Sequence, residues 1–427
     1  MRRLPSLSRR AFLAGCAAVI GSARLSSGQD RPRVGTTDVG QAIERLPLIG
    51  ERLRARFADL HRHFIFEYYP WYDSATGRHW SDAERTPPAE VSASSLPLLG
   101  TYDSRSSQVI EQHARWIKDA GIGAINLSWW GVGSFEDQAV HPIMDVMRAF
   151  DIKVMFHLEP YSPRRGAQYA DDITYLLREY GDKRRYDTLL LLQDANGRAA
   201  PIFKSFVTLL SPTSTNCQGV TSPVELFVPD DIWRQQVVRV HRDFAPDFGQ
   251  VTLVADSLDA ARTAAAGFDA GAVGNPYIRP GQWEGYTAAF DQRDIPFSFA
   301  VNTGFDPLPP KTPPTDPCYR PSLFEPSYDV QWNVEASREH AHRLAAARIK
   351  ASFLTTLAHQ INPASANWRR GFLLVPVNSF NEWSEGTAFE PMKSYRDLTG
   401  AERALYHNPV DGAYRLDTLK ALMGELG

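Results

Sequence analysis

Two glutamates stand three residues apart late in the chain, in the run Asn378-Ser379-Phe380-Asn381-Glu382-Trp383-Ser384-Glu385-Gly386-Thr387. Carboxylates so close can flank one scissile bond, provided that one is kept protonated and the other ionised, which is the equipment of glycoside hydrolysis. Several aromatic clusters could serve the same chemistry: Tyr68, Tyr69, Trp71 and Tyr72; Trp129 and Trp130; and Tyr161 beside His157 and Glu159. Their rings offer flat apolar faces to the C–H surfaces of sugars, while Asn381, His157 and tyrosine hydroxyls can bind sugar hydroxyls. An isolated ExxE is more often a solvated pair or a loop cap, so the place of this pair in the fold decides its meaning.

Apolar runs of strand length alternate with stretches of helical period along the whole chain. Strands are expected over 63–72, 124–130, 153–157, 201–207, 251–255, 270–274, 296–301 and 372–380. Helices are expected over 106–120, 139–150, 169–180, 233–244, 260–266, 283–290, 332–360 and 416–426, with a hairpin turn at Asn196-Gly197. Eight strand-then-helix units argue for an α/β protein built as a single (β/α)8 TIM barrel with long βα loops, in preference to an open doubly wound sheet. Active sites in this architecture lie at the C-terminal ends of the strands. Those ends carry Tyr69 and Trp71 after the first strand, Trp129 after the second, His157, Glu159 and Tyr161 after the third, and Asn381, Glu382 and Glu385 after the eighth. Three or more carboxylates converging on one mouth are costly unless they serve a function.

The first residues belong to another process. Residues 1–29 combine a basic opening, the pair Arg9-Arg10 and an apolar run over 11–23, as a twin-arginine export signal does. That run is shorter than the ~20 residues a membrane span needs. Leu13-Ala14-Gly15-Cys16 also has the form of a lipoprotein cleavage box, but almost no apolar segment precedes it, so lipid anchoring is the lesser expectation. The expectation is a periplasmic or secreted protein that meets the twin-arginine translocation machinery, has no stable membrane span, and is one domain over 30–427. The chain has 46 basic and 49 acidic residues, and the signal carries five of the arginines and no acid, leaving 41 against 49 and a net charge of −8. That balance excludes a general nucleic-acid binder.

Other constellations are weaker. His61-Arg62-His63 precedes the first strand, on the face of the barrel opposite the mouth, and is not expected to bind metal. Gly131-Val132-Gly133 lacks a dinucleotide fingerprint, and no GxSxG elbow suggests a serine nucleophile. His113 and Trp116 share the apolar stripe of a helix and read as core. Cys217 and Cys318 sit in loop-like sequence, where one disulfide and two free thiols are equally compatible with the pattern.

Five motifs in order, Phe66-Glu67-Tyr68-Tyr69-Pro70-Trp71-Tyr72, Gly100-Thr101-Tyr102-Asp103-Ser104, Leu127-Ser128-Trp129-Trp130, Phe156-His157-Leu158-Glu159-Pro160-Tyr161 and the segment from Ser379 to Thr387, resemble glycoside hydrolase family 99, the endo-α-mannosidase family. The likeness runs from about residue 64 to 391. It implies a (β/α)8 barrel without metal or organic cofactor that cleaves α-mannosides internally with retention. It also implies that Glu382 deprotonates the sugar's own 2-hydroxyl, which attacks the anomeric carbon, while Glu385 protonates the leaving oxygen. Tyr69, Trp71, Trp129, His157, Glu159, Tyr161 and Asn381 would bind the substrate.

The chain departs from the family pattern in three places. Small residues fill Ala270-Gly271-Ala272-Val273-Gly274 where tyrosines are usual. Lys204 replaces the tyrosines and aspartate of the fourth strand, either to read an acidic group or to pair with Glu159. Ser384 stands where histidine is common. Action on, or non-catalytic binding of, another bacterial polysaccharide is the alternative that these changes leave open.

Overall fold

The computed structural model describes residues 36–161, 165–182, 187–319, 324–327 and 329–427. The expected export signal over 1–29 lies outside the described residues.

Nine parallel strand segments form the barrel: β1 Phe64–Tyr68, β2 Ala124–Trp129, β3 Lys153–Leu158, β4 Ala199–Ser205, β5 Thr252–Ala255, β6 Ala270–Val273, β7 Phe297–Phe299, β8 Val301–Asn302 and β9 Val375–Asn378. β7 and β8 are two halves of one position in the ring. β7 pairs with β6 (Phe297 with Gly271) and β8 pairs with β9 (Val301 with Val377), while β9 returns to β1 (Phe64 with Val375). The single strand expected over 296–301 is thus divided at Ala300, whose amide donates to the Val273 carbonyl (3.0 Å). Each half has its own neighbour, and that switch is what closes the ring.

The strands are buried almost throughout, as parallel strands are when helices cover one face and a packed interior fills the other. Helices return the chain between them, Ser107–Asp119, Phe135–Ala149, Arg165–Leu176, Asp230–Phe248, Ala260–Ala266, Trp283–Asp291 and Glu335–Gln360, and Tyr414–Leu426 follows β9. The second begins four residues earlier than its apolar stripe suggests. Ser134 accepts from the Asp137 amide as an N-cap, and Glu136 and Asp137 suit the positive end of the helix dipole. The third starts at Arg165 and passes into a wider π turn over Leu177–Asp182.

Among the described residues two further helices, Thr36–Glu44 and Leu46–Arg54, precede β1. Leu46–Arg54 packs against the C-terminal helix, where a β-carbon on Gly50 would lie 1.7 Å from the Leu426 carbonyl oxygen; only glycine allows that approach. Arg54 Nη1 donates to the same carbonyl (2.6 Å), filling one of the acceptors a helix leaves unpaired at its C-terminus. At the other end of the barrel the loops after the strands are long. Cys217 and Cys318 form a disulfide that ties the loop after β4 to the loop after β8.

Candidate active site

Above an apolar layer that includes Ile65, Ala124, Met155 and Ile202, the barrel interior carries a tier of polar residues. Glu67 on β1 is in register with Asn126 on β2, Ser128 on β2 with His157 on β3, and His157 with Lys204 on β4. Register partners project on the same face of a sheet, so alternate residues of four strands meet inside. Glu67 Oε1 accepts from Lys204 Nζ (2.7 Å), and its Oε2 accepts from His157 Nδ1 (2.7 Å) and Asn126 Nδ2 (2.9 Å). Both ends of the ion pair are buried, Glu67 2 % and Lys204 3 % exposed. Burial alone would raise the Glu67 pKa, but the charges and hydrogen bonds of Lys204 and His157 outweigh it and hold the carboxyl well below its usual range. His157 Nδ1 faces Glu67, and its Nε2 lies 3.9 Å from Glu159. Glu159 Oε1 in turn accepts from the Ser128 hydroxyl (2.9 Å).

Lys204 therefore pairs with Glu67 and not with Glu159. Glu67, which is not among the site residues expected from the sequence, is the buried carboxylate at the centre of this tier. Its signal was present, since a carboxylate inside the apolar strand 64–68 and an ammonium inside 202–206 are each expensive alone and cancel only together.

The loop after β9 holds the two glutamates. Asn381 anchors it: its Oδ1 accepts from the Tyr69 amide (2.8 Å), and its Nδ2 donates to the Tyr69 carbonyl (3.0 Å) and the Tyr102 hydroxyl (3.3 Å). The Asn381 amide is thus taken up by protein groups and fastens the loop after β9 to the end of β1, a different task from the sugar contact expected of it. Asn381→Leu should remove the hydrogen bonds to the Tyr69 backbone and the Tyr102 hydroxyl and destabilise the fold by about 1–3 kcal/mol. Urea unfolding would show this as a fall in midpoint at unchanged slope.

Glu382 is 2 % and Glu385 7 % exposed. The Ser384 hydroxyl (2.6 Å) and the Ser384 amide (3.1 Å) both donate to Glu382 Oε1, so the serine between the glutamates favours an ionised Glu382. Burial first, and then the Glu382 charge, pushes the Tyr72 hydroxyl well above its usual pKa. That hydroxyl stays protonated and donates to the Asn381 carbonyl (3.0 Å). On the far side the Asp306 amide donates to the Glu385 carbonyl (2.9 Å) and the Leu308 amide to the Ser384 carbonyl (3.1 Å). Gly386 has φ +66°, and a β-carbon there would lie 2.4 Å from the Asp306 carbonyl oxygen, so the turn that ends the motif needs glycine.

A cavity of about 620 Å³ opens at this end of the barrel. Tyr69, His157 and Glu385 line it, together with Glu67 and Lys204. The remaining residues singled out from sequence stand behind its wall or beside it. Trp71 stacks between Tyr69 and His79, each ring centroid 4.7 Å away. Trp129 is fully buried, its indole N–H on Asp137 (2.8 Å) and its ring between Tyr161 and Tyr175. The Tyr161 hydroxyl donates to Asp172 (2.7 Å). No group of three or more His, Cys, Asp or Glu side chains suited to a metal ion occurs among the described residues, and no described helix is long and apolar enough to cross a membrane.

The profile of glycosyl hydrolase family 99 matches residues 56–192, a stretch that carries β1 to β3 and ends well before Glu382. A glycoprotein endo-α-1,2-mannosidase-like protein of Danio rerio is 27 % identical over 248 residues, which are 45 % of this chain and 54 % of that protein, so the match spans about half of the relative. The glycoprotein endo-α-1,2-mannosidase of Mus musculus is 24 % identical over 380 residues, 82 % of this chain and 69 % of the mouse protein. Among solved structures, a family 99 endo-α-mannosidase of Bacteroides thetaiotaomicron in complex with bis-tris-propane superposes with a TM-score of 0.60 at 19 % identity, covering 85 % of this chain and 97 % of that one. The two share the barrel fold.

Proposed function

Proceeding from a chain that is glycosyl hydrolase family 99 or a close relative of it, we propose an exported, retaining, endo-acting glycoside hydrolase that cleaves α-mannoside linkages in a glycan. The observation that carries this reading is the loop after β9, which sets Glu382 and Glu385, both buried, at the C-terminal mouth of the barrel with Glu385 on the cavity wall.

In the proposed first step Glu382 takes the proton of the sugar 2-hydroxyl, whose oxygen bonds to the anomeric carbon as the bond to the leaving oxygen breaks. Glu385 gives its proton to that oxygen. In the second step Glu385 takes a proton from water, the water oxygen bonds to the anomeric carbon, and the bond to the 2-oxygen breaks. That oxygen recovers its proton from Glu382, so both carboxyls return to their starting states. The two donors that Ser384 gives Glu382 support its role as the base, because they stabilise the ionised form. Passage through the twin-arginine machinery would place this chemistry in the periplasm or outside the cell. The Cys217–Cys318 bridge supports that location, since disulfides persist in oxidising compartments.

Two displacements at one carbon retain configuration. Proton NMR of an α-1,2-mannotetraose digest should show the α-anomer of the new reducing end before mutarotation supplies the β-anomer. A β-anomer appearing first would mean direct attack by water and would overturn the scheme.

A further inference from the structure

Behind the turn that carries Glu385 lies a buried carboxylate that the proposed chemistry leaves unused. Asp306, in the loop after β8, does not line the cavity. Burial would raise its pKa, but its contact with His407, then the Arg415 charge and the Ser94 hydroxyl, outweigh burial and hold the carboxyl below its usual range. His407 Nδ1 lies 2.8 Å from Asp306 Oδ2. A buried charge is expensive and persists where its partners are well fixed. His407 is such a partner. Its amide donates to the Ser94 carbonyl (2.8 Å), and its ring stacks on Trp332, with centroids 3.8 Å apart and planes 7° from parallel. The next residue, Asn408, accepts from the Leu96 amide (2.8 Å) and donates to the Leu96 carbonyl (3.0 Å). His407 is thus a fixed post in the segment between β9 and the C-terminal helix, and Asp306 is tied to it.

Asp306 in turn holds the main chain of Glu385. Its amide donates to the Glu385 carbonyl (2.9 Å). A β-carbon on the following Gly386 would lie 2.4 Å from the Asp306 carbonyl oxygen and 2.6 Å from the Asp306 β-carbon, so the two segments touch with no room between them. Arg415 grips the same turn from the C-terminal helix, donating through Nη1 to the Gly386 and Ala388 carbonyls (2.8 Å each). Glu382 has anchors of its own. Its amide donates to the Ser379 hydroxyl (2.8 Å), its carboxylate accepts from Ser384, and the preceding Asn381 is tied to Tyr69. The Glu385 end of the turn therefore depends on Asp306 and, through it, on His407.

We propose that Asp306 and His407 are positioning residues for Glu385, holding its main chain so that its carboxyl reaches the leaving oxygen, a role that rests on the proton donation assigned to Glu385 above. Neither residue meets the substrate; both act through the backbone of the turn. Misplacing a reacting group by about 1 Å through a substitution away from the chemistry can cost about 10²-fold in rate.

The test compares kcat/KM of the full-length protein, which covers the steps up to departure of the leaving group, on α-1,2-mannotetraose and on dinitrophenyl α-mannoside. His407→Phe keeps a flat ring against Trp332 and removes the donor to Asp306. It should lower the tetraose value by about 10- to 100-fold and the dinitrophenyl value by less than about 3-fold, because dinitrophenolate leaves without a proton. His407→Asn, whose amide nitrogen stands near the place of Nδ1, should recover most of the tetraose activity. Asp306→Asn keeps the shape of the side chain but weakens a charge-assisted hydrogen bond, so it should show the same preference with a smaller loss. It carries the comparison if His407→Phe does not fold. Partial unfolding lowers both values by one factor, so the ratio between substrates separates positioning from a general loss of structure. Equal losses on both substrates, His407→Asn no better than His407→Phe, or tetraose activity within about twofold of wild type in both His407→Phe and Asp306→Asn would each overturn the positioning role. Glu385→Gln, measured beside them, distinguishes this failure from that of the hydrolase scheme. If Glu385→Gln also lacks the preference for the dinitrophenyl substrate, the proton-donor role falls and the positioning role with it. If Glu385→Gln shows the preference and His407→Phe and Asp306→Asn do not, only the positioning role falls.

Discussion

Glu385→Gln should lower kcat/KM for an unactivated α-mannoside by about 10² to 10⁴-fold, the range that general acid–base catalysis supplies. The loss should nearly vanish in the first step for a dinitrophenyl mannoside, because that leaving group departs as a stable anion without being handed a proton. Glu382→Gln should cost a comparable factor on both substrates, since the 2-hydroxyl must be deprotonated whatever leaves. A burst of dinitrophenolate from the Glu385 variant, followed by slow turnover, would report the missing base in the second step. The comparison separates the two roles more sharply than either loss alone. If both variants lost activity equally on both substrates, or if the Glu382 variant were the one rescued by the better leaving group, the assignment of acid and base would be reversed or void. The environments already differ in the required sense. Glu382 receives two hydrogen bonds from Ser384, which favour its ionised form, while Glu385 sits at the cavity wall where the leaving group must pass.

Much of this arrangement could be read before any coordinates. Apolar strands such as Ala124–Trp129 and helical stripes such as that of Ser107–Asp119 specify a βα alternation by local periodicity, and eight repeats of it leave few architectures. The glutamates are legible for the same reason: once the ninth segment, Val375–Asn378, is a barrel strand, whatever follows it lies at the mouth. What escaped the sequence depends on contacts between distant strands. The division at Ala300 follows from ring closure and leaves no mark in the apolar run that contains it. The pairing of Lys204 with Glu67 follows from register across β1 to β4, a relation between residues 137 positions apart. Asn381 shows a third kind of limit. Its side chain suits a sugar as well as it suits the Tyr69 backbone, and only geometry distinguishes the two. Residue type reveals what a group can bond to, and long-range placement reveals what it does bond to.

Lys204→Met should destabilise the fold by about 3–5 kcal/mol at neutral pH, the cost of removing one partner from a buried ion pair. The ammonium is one of three donors to Glu67 and forms its buried ion pair with Oε1. Without it, burial governs Glu67 and its pKa rises in the folded state. The sign of the pH dependence then inverts. In the wild type the Glu67 pKa is depressed, so its stabilisation is complete above the ordinary carboxylate value of 4.5 and is lost only as pH falls through the depressed value. In the variant the folded-state pKa lies above the unfolded one, so the protonated carboxyl stabilises the fold below 4.5 and that support is lost as pH rises through the raised value. The deficit relative to wild type should therefore be largest near pH 7 and should narrow as pH falls toward 4.5. Adding Glu67→Gln removes the stranded charge while keeping an acceptor for His157, so the double variant should recover most of the loss at pH 7. Urea unfolding of the four proteins at pH 7 and pH 5 closes the cycle. A deficit below about 1 kcal/mol, or one that neither pH nor the second substitution changes, would mean that Lys204 does not hold the Glu67 charge in the folded protein.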